Sequence, residues 1–126
     1  RYKGPKFDLI VDDLFGEVDG EPVRAVEANR AWLEKLSTHL AEDGVLVMNF
    51  VSTRGLRDTS RMLQETVPTR FASAFRLSLP AYENAVGAFI SQQLAARQLR
   101  QRLRTTSGPG GMSLSRLPFH VQRISP

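Results

Sequence analysis

The 126-residue chain contains no cysteine. Disulfides, thiolate nucleophiles and cysteine-based zinc sites are therefore excluded. Histidine is almost as scarce, with His39 and His120 standing alone, so no metal chemistry is expected. No apolar run approaches the roughly 18 to 20 residues of a membrane span. Nothing near Arg1 has the charged, apolar and small-residue order of a signal peptide, which makes a soluble, cytoplasmic protein the expectation. Acid is missing from one end: residues 84–126 carry six Arg and neither Asp nor Glu, whereas residues 1–83 hold all 13 acids and 11 of the 17 Lys and Arg. The formal charge of +4 thus belongs to the C-terminal third. Nucleic-acid-binding domains usually interleave Lys, Arg and aromatics across the fold, which this chain does not do. No nucleic-acid partner is expected, and the basic stretch reads as a solvated helix face.

What is present is ordinary globular composition, 41% hydrophobic and 24% charged. A chain of this length makes one domain that buries roughly two thirds of its unfolded surface. The stretch F-D-L-I-V-D-D-L-F, Phe7 to Phe15, organises the reading. Its apolar run with β-branched Ile10 and Val11 suits a strand buried on both faces of a parallel sheet. Asp12 and Asp13 then fall at its carboxyl end, where open α/β sheets bind their ligands. Their side chains should point to opposite faces. Asp13 is the site candidate and Asp12 the capping residue of the following turn.

The other segments extend an α/β pattern. L-F-G-E-V-D-G-E-P-V reads as a long acidic loop broken by Gly16, Gly20 and Pro22. Trp32, Leu33, Leu36 and Leu40 form one stripe of a helix from about Val23 to Ala41, which Gly44 ends with a left-handed turn. Gly44 to Val51 is a second apolar strand, interrupted only by Asn49, whose amide must find partners if buried. Ser52 and Thr53 cap a helix from about Leu56 to Val67, stopped by Pro68. Phe71 to Leu79 and Asn84 to Ser91 are close enough in sequence to form an antiparallel hairpin. Gln92 to Arg104 makes a basic helix with Ala96, Leu99 and Leu103 on its apolar face. S-G-P-G-G then breaks order, and Leu114, Leu117, Phe119, Val121 and Ile124 pack as an extended tail or another short helix. The expected organisation is an α/β domain over residues 1–104, with two parallel strands, crossover helices and an antiparallel hairpin, followed by a tail over 105–126.

These motifs, with V-L-V-M-N and L-S-L-P-A-Y-E-N-A-V-G-A-F-I, resemble the carboxyl half of spermidine synthase and its bacterial spermidine synthase-like relatives, in the class I methyltransferase superfamily. The resemblance covers about Phe7 to Ser91. It implies half of a doubly wound, Rossmann-like sheet of seven strands whose final strand is antiparallel. It also implies that the Gly-rich loop and the ribose-binding acid of the nucleoside half precede Arg1. By the same resemblance Asp13 matches the proposed catalytic base, while Asn49 matches an amine-orienting Gln and Tyr82, after Pro80, matches a substrate-binding Tyr. Gly16 stands where the family carries a second, diamine-binding Asp. The implied activity is transfer of an aminopropyl group from decarboxylated S-adenosylmethionine to a small amine, in polyamine biosynthesis. An S-adenosylmethionine-dependent methyltransferase on the same fold, or a non-catalytic interaction fragment, are the alternatives. The open outer edge of the Phe7–Asp12 strand, without its sheet neighbour, predicts a homo-oligomer.

Overall fold

The computed structural model describes residues 1–111 and 113–124. Alternating apolar strands and amphipathic helices give an α/β fold with a mixed five-stranded sheet, in the order β1-β4-β6-β5-β7, and a separate hairpin, β2-β3. The strands are β1 (Phe7–Asp12), β2 (Phe15–Val18), β3 (Glu21–Arg24), β4 (Leu40–Phe50), β5 (Ser73–Ser78), β6 (Ala85–Ile90) and β7 (His120–Arg123). The helices are α1 (Arg30–His39), α2 (Thr53–Thr66) and α3 (Ala96–Thr105).

β1 and β4 are parallel, joined through α1, and β6 pairs antiparallel with both β4 and β5. The expected parallel pair and terminal hairpin are therefore both present. The tail is extended where it returns to the sheet: β7 pairs antiparallel with β5, Leu77 facing Val121. The side chain of Leu114, expected to pack with that tail, lies outside the described residues.

Helix boundaries follow local chemistry. The Asn29 side chain accepts the Trp32 N–H at 3.0 Å and starts α1 at Arg30, seven residues after the expected start near Val23, which instead lies in β3. α1 stops at His39 because Leu40 turns into extended backbone. The Leu40, Ala41 and Glu42 carbonyls, at the irregular start of β4, accept hydrogen bonds from the Arg70 guanidinium. Between the pairs Phe7–Leu40 and Leu9–Val45, β4 carries four residues against one in β1, so residues 41–44 bulge. Gly44 lies in this bulge without a positive φ, which corrects the left-handed helix end expected there. Ser52 caps α2 by accepting the Gly55 N–H at 3.2 Å.

Two further expectations are corrected. The acidic loop is the β2–β3 hairpin, turned by Asp19 and Gly20, both with positive φ (52° and 81°). Asp-Gly suits a tight turn with two left-handed residues, whose twist matches that of the flanking strands. β1 is not buried on both faces, for it forms the sheet edge, and Phe7, Leu9 and Val11 are 43%, 56% and 61% exposed. An apolar run reads the same whether or not a helix covers it, and here none covers that face.

The sheet's two faces differ. On one, α1 and α2 press Leu33, Leu56 and Leu63 onto Leu46, Met48, Phe50, Ala85 and Phe89. Each buried side chain of this size contributes roughly 1.5–3 kcal/mol. Gly87 lets α2 settle closely, since a Cβ there would sit 2.5 Å from Leu56 Cδ1. On the other face, α3 packs Ala96, Leu99 and Leu103 around Phe75, Ala88 and Val121.

Candidate functional site

The carboxyl ends of β1 and β4 meet the start of β6, and three polar side chains converge there. Asp13 Oδ1 accepts from Asn49 Nδ2 at 3.0 Å, and Asn49 Oδ1 accepts from Asn84 Nδ2 at 2.9 Å. Asn49 thus spends one donor and one acceptor on its neighbours, which holds its amide in a single orientation. Asp13 is exposed, and among the described residues its Oδ2 has no protein partner. A carboxylate placed so, beside a fixed amide, can accept a hydrogen bond from an ammonium or take a proton from an amine.

Asp12 has the opposite environment. It is 2% exposed, and its carboxylate accepts from Arg24 Nη2 at 2.6 Å, Trp32 Nε1 at 2.9 Å and the Leu14 N–H at 3.4 Å. A buried charge needs this degree of pairing. Arg24 also donates to the Asn49 carbonyl at 2.9 Å and the Val26 carbonyl at 3.1 Å, and lies over the rings of Phe15 and Phe50. One guanidinium therefore ties the hairpin to the ends of β1 and β4 and fixes the backbone that carries Asn49.

The structure brings Asp13 and Asn49 together but leaves Tyr82 outside their hydrogen bonds. Tyr82 is 64% exposed in the β5–β6 turn, which its N–H closes on the Leu79 carbonyl at 3.1 Å. Its side chain and Asn84 share with Ser78 the lining of a cavity of about 250 Å³ whose other walls are apolar, among them Leu77, Val86, Leu103 and Phe119. The cavity opens on the α3 side of the sheet, beside the polar line. Gly16 lies exposed in β2 with nothing within 4 Å of where its Cβ would be.

Arg24 and Asn84 escape the sequence reading. The signal for Arg24 is that it is the one base between Lys6 and Arg30, within reach of a carboxylate that must be paired if buried. Asn84 carries no such signal, because its partner lies 35 residues away. Among the described residues no group of three or more His, Asp and Glu could hold a metal ion, and no helix is long and apolar enough to cross a membrane. No protein-family model, curated protein or solved structure matches the chain.

Proposed function

We propose that the chain supplies the acceptor-binding half of an aminopropyltransferase similar to spermidine synthase, acting in the cytoplasm with decarboxylated S-adenosylmethionine as co-substrate. The observation that carries this reading is the hydrogen-bonded line Asp13–Asn49–Asn84 at the carboxyl ends of neighbouring strands. A parallel strand pair, β1 and β4, flanked by the antiparallel strand β6, supports placing it on a Rossmann-like, doubly wound sheet. The nucleoside-binding half falls outside the strands of this chain in that reading.

Attack on the carbon beside a sulfonium needs an unprotonated nitrogen, whereas free alkylamines near neutral pH are almost wholly protonated. Asp13 takes the proton as the amine is seated, and Asn49, fixed by Asn84, orients the nitrogen. Most of the rate gain comes from alignment and exclusion of water. Tyr82 borders the acceptor's path and offers an aromatic face to its charge.

Gly16 supplies no second carboxylate, and the cavity beside Asn84 is apolar. These two features favour an acceptor with one amine and an apolar body over a diamine. They equally suit methyl transfer from S-adenosylmethionine on the same fold. The two nucleosides differ in their amino-acid tail, since methyl transfer must accommodate a carboxylate.

The test is steady-state turnover by the protein carrying this chain, with each nucleoside in turn and a series of amines. Asp13→Asn should lower the aminopropyl-transfer rate by roughly a hundredfold or more, as loss of a general base does. An unchanged rate would remove Asp13 from the mechanism, and turnover with S-adenosylmethionine alone would establish the methyltransferase reading.

A further inference from the structure

At the far edge of the sheet from Asp13, where α2 passes over β5 and β7, lies a second concavity of about 370 Å³. Arg57 and Arg61 line it from α2, Arg76 from β5, and Arg123 with Gln122 from β7, while Thr53 stands at the helix start. Four guanidinium-bearing residues meet there and no acid lines the walls. Among the described residues, the ion pairs use Arg24, Arg30 and Arg54, and none uses these four. Arg76 Nε is buried and lacks a hydrogen-bond partner among those residues. Arg123 reaches a neutral group, the Gln93 carboxamide, when that amide is turned so that its nitrogen donates to the Ala72 carbonyl.

Like charges one helical turn apart oppose each other, and Arg57 and Arg61 are so spaced. Adding Arg76 and Arg123 without a carboxylate compounds the repulsion, and a desolvated N–H without an acceptor is unfavourable. An anion with several oxygens relieves both. Guanidinium groups match phosphate oxygens in paired hydrogen bonds, and Thr53 and Gln122 add neutral donors. One phosphate carries about −1.5 to −2 charges, too few to balance four arginines, whereas two linked phosphates come close. The cavity is lined by one helix and two neighbouring strands rather than drawn out as a stripe. No aromatic lines it for bases to stack upon, which disfavours a nucleic-acid strand.

We infer that this pocket is a binding site for a small ligand bearing a diphosphate group, separated from Asp13 by β4 and β6. Isothermal titration of the full chain with inorganic pyrophosphate, and with inorganic phosphate and sulfate at matched ionic strength, tests it. Pyrophosphate should bind at one site per chain, at least about tenfold more tightly than either single anion, a gap of about 1.4 kcal/mol. Arg76→Gln should weaken that binding by about tenfold or more, and so should Arg57→Gln on the exposed helix surface, where folding is not at stake. Arg54→Gln, on α2 but outside the pocket, should leave it unchanged. Three results would overturn the inference: pyrophosphate binding no tighter than sulfate, an equal loss with Arg54→Gln and Arg57→Gln, or tighter binding of a single-stranded oligonucleotide that the pocket substitutions abolish.

Discussion

The two faces of the sheet are built for different ends. The α1/α2 face holds most of the large buried side chains and includes Asp12 with its three donors. The α3 face is covered only over β5, β6 and β7, and toward β1 it shows Leu9 and Val11 to solvent. Asn49 and Asn84 project on this second face, and Asp13 joins them there. Adjacent carboxylates thus take opposite parts because a strand alternates its side chains. Stability is concentrated on the closed face, and the polar groups left available for chemistry sit at the rim of the open one.

The sharpest way to break this contrast is to remove each carboxylate in turn. Asp12→Ala strands the largely buried Arg24 and should cost about 3–5 kcal/mol of unfolding free energy, as loss of one partner of a buried pair does. Asp13→Ala should stay within about 0.5 kcal/mol of the parent, the usual range for surface positions. Urea unfolding of both variants measures the difference, and similar losses would abolish the distinction between the faces. A second, smaller effect is expected from Gly87→Ala, which pushes a methyl group into Leu56, Phe50 and Phe89 on the closed face. Overpacking of this kind costs typically about 1–3 kcal/mol, and a thermal melt would detect it.

The open face should answer in association rather than in stability. β1 offers an unpaired backbone edge, and apolar Leu9 and Val11 beside it, with no bulge, proline or lysine in the Leu9–Val11 stretch to block another strand. Pairing of β1 with β1 across a two-fold axis is self-complementary, so a second copy is the expected occupant. Leu9→Lys with Val11→Lys should weaken self-association by at least about tenfold in sedimentation equilibrium, equivalent to about 1.4 kcal/mol. A wild-type chain that stays monomeric at high concentration would refute the pairing. A modest loss of stability is expected for Asn84→Ala, which frees the Asn49 amide and should cost about 0.5–1.5 kcal/mol, the net worth of one hydrogen bond. In an acceptor titration this variant should weaken amine binding while leaving nucleoside binding unaltered.

Much of the fold was legible in the sequence because hydrophobic spacing reports which elements form. Leu56 and Leu63 mark the buried side of α2, and the runs around Ile10 and Leu46 mark β1 and β4. What the spacing does not report is which faces find a cover, and Leu9 and Val11 were misplaced for that reason. The β2–β3 hairpin was hidden by the density of acids around it, although Asp19-Gly20 is a strong turn signal. At the site, Asp13 and Asn49 were accessible as polar groups at strand ends. Arg24 and Asn84 were not, because their partners 25 to 35 residues away meet them only once the chain has folded.

Trp32 is the chain's one tryptophan, and its indole N–H is held by Asp12. The tryptophan fluorescence of the molecule therefore issues from a single corner, where β1, α1 and the β2–β3 hairpin meet. Indole emission shifts with the polarity and hydrogen bonding around the ring. Occupancy of Asp13, the next residue, lies close enough to colour that signal, whereas events under α3 are dark to it. Melting followed by emission and by backbone circular dichroism should superimpose if the whole sheet opens at once. A corner that loosens first would separate the two curves, giving an optical readout of local opening without any added label.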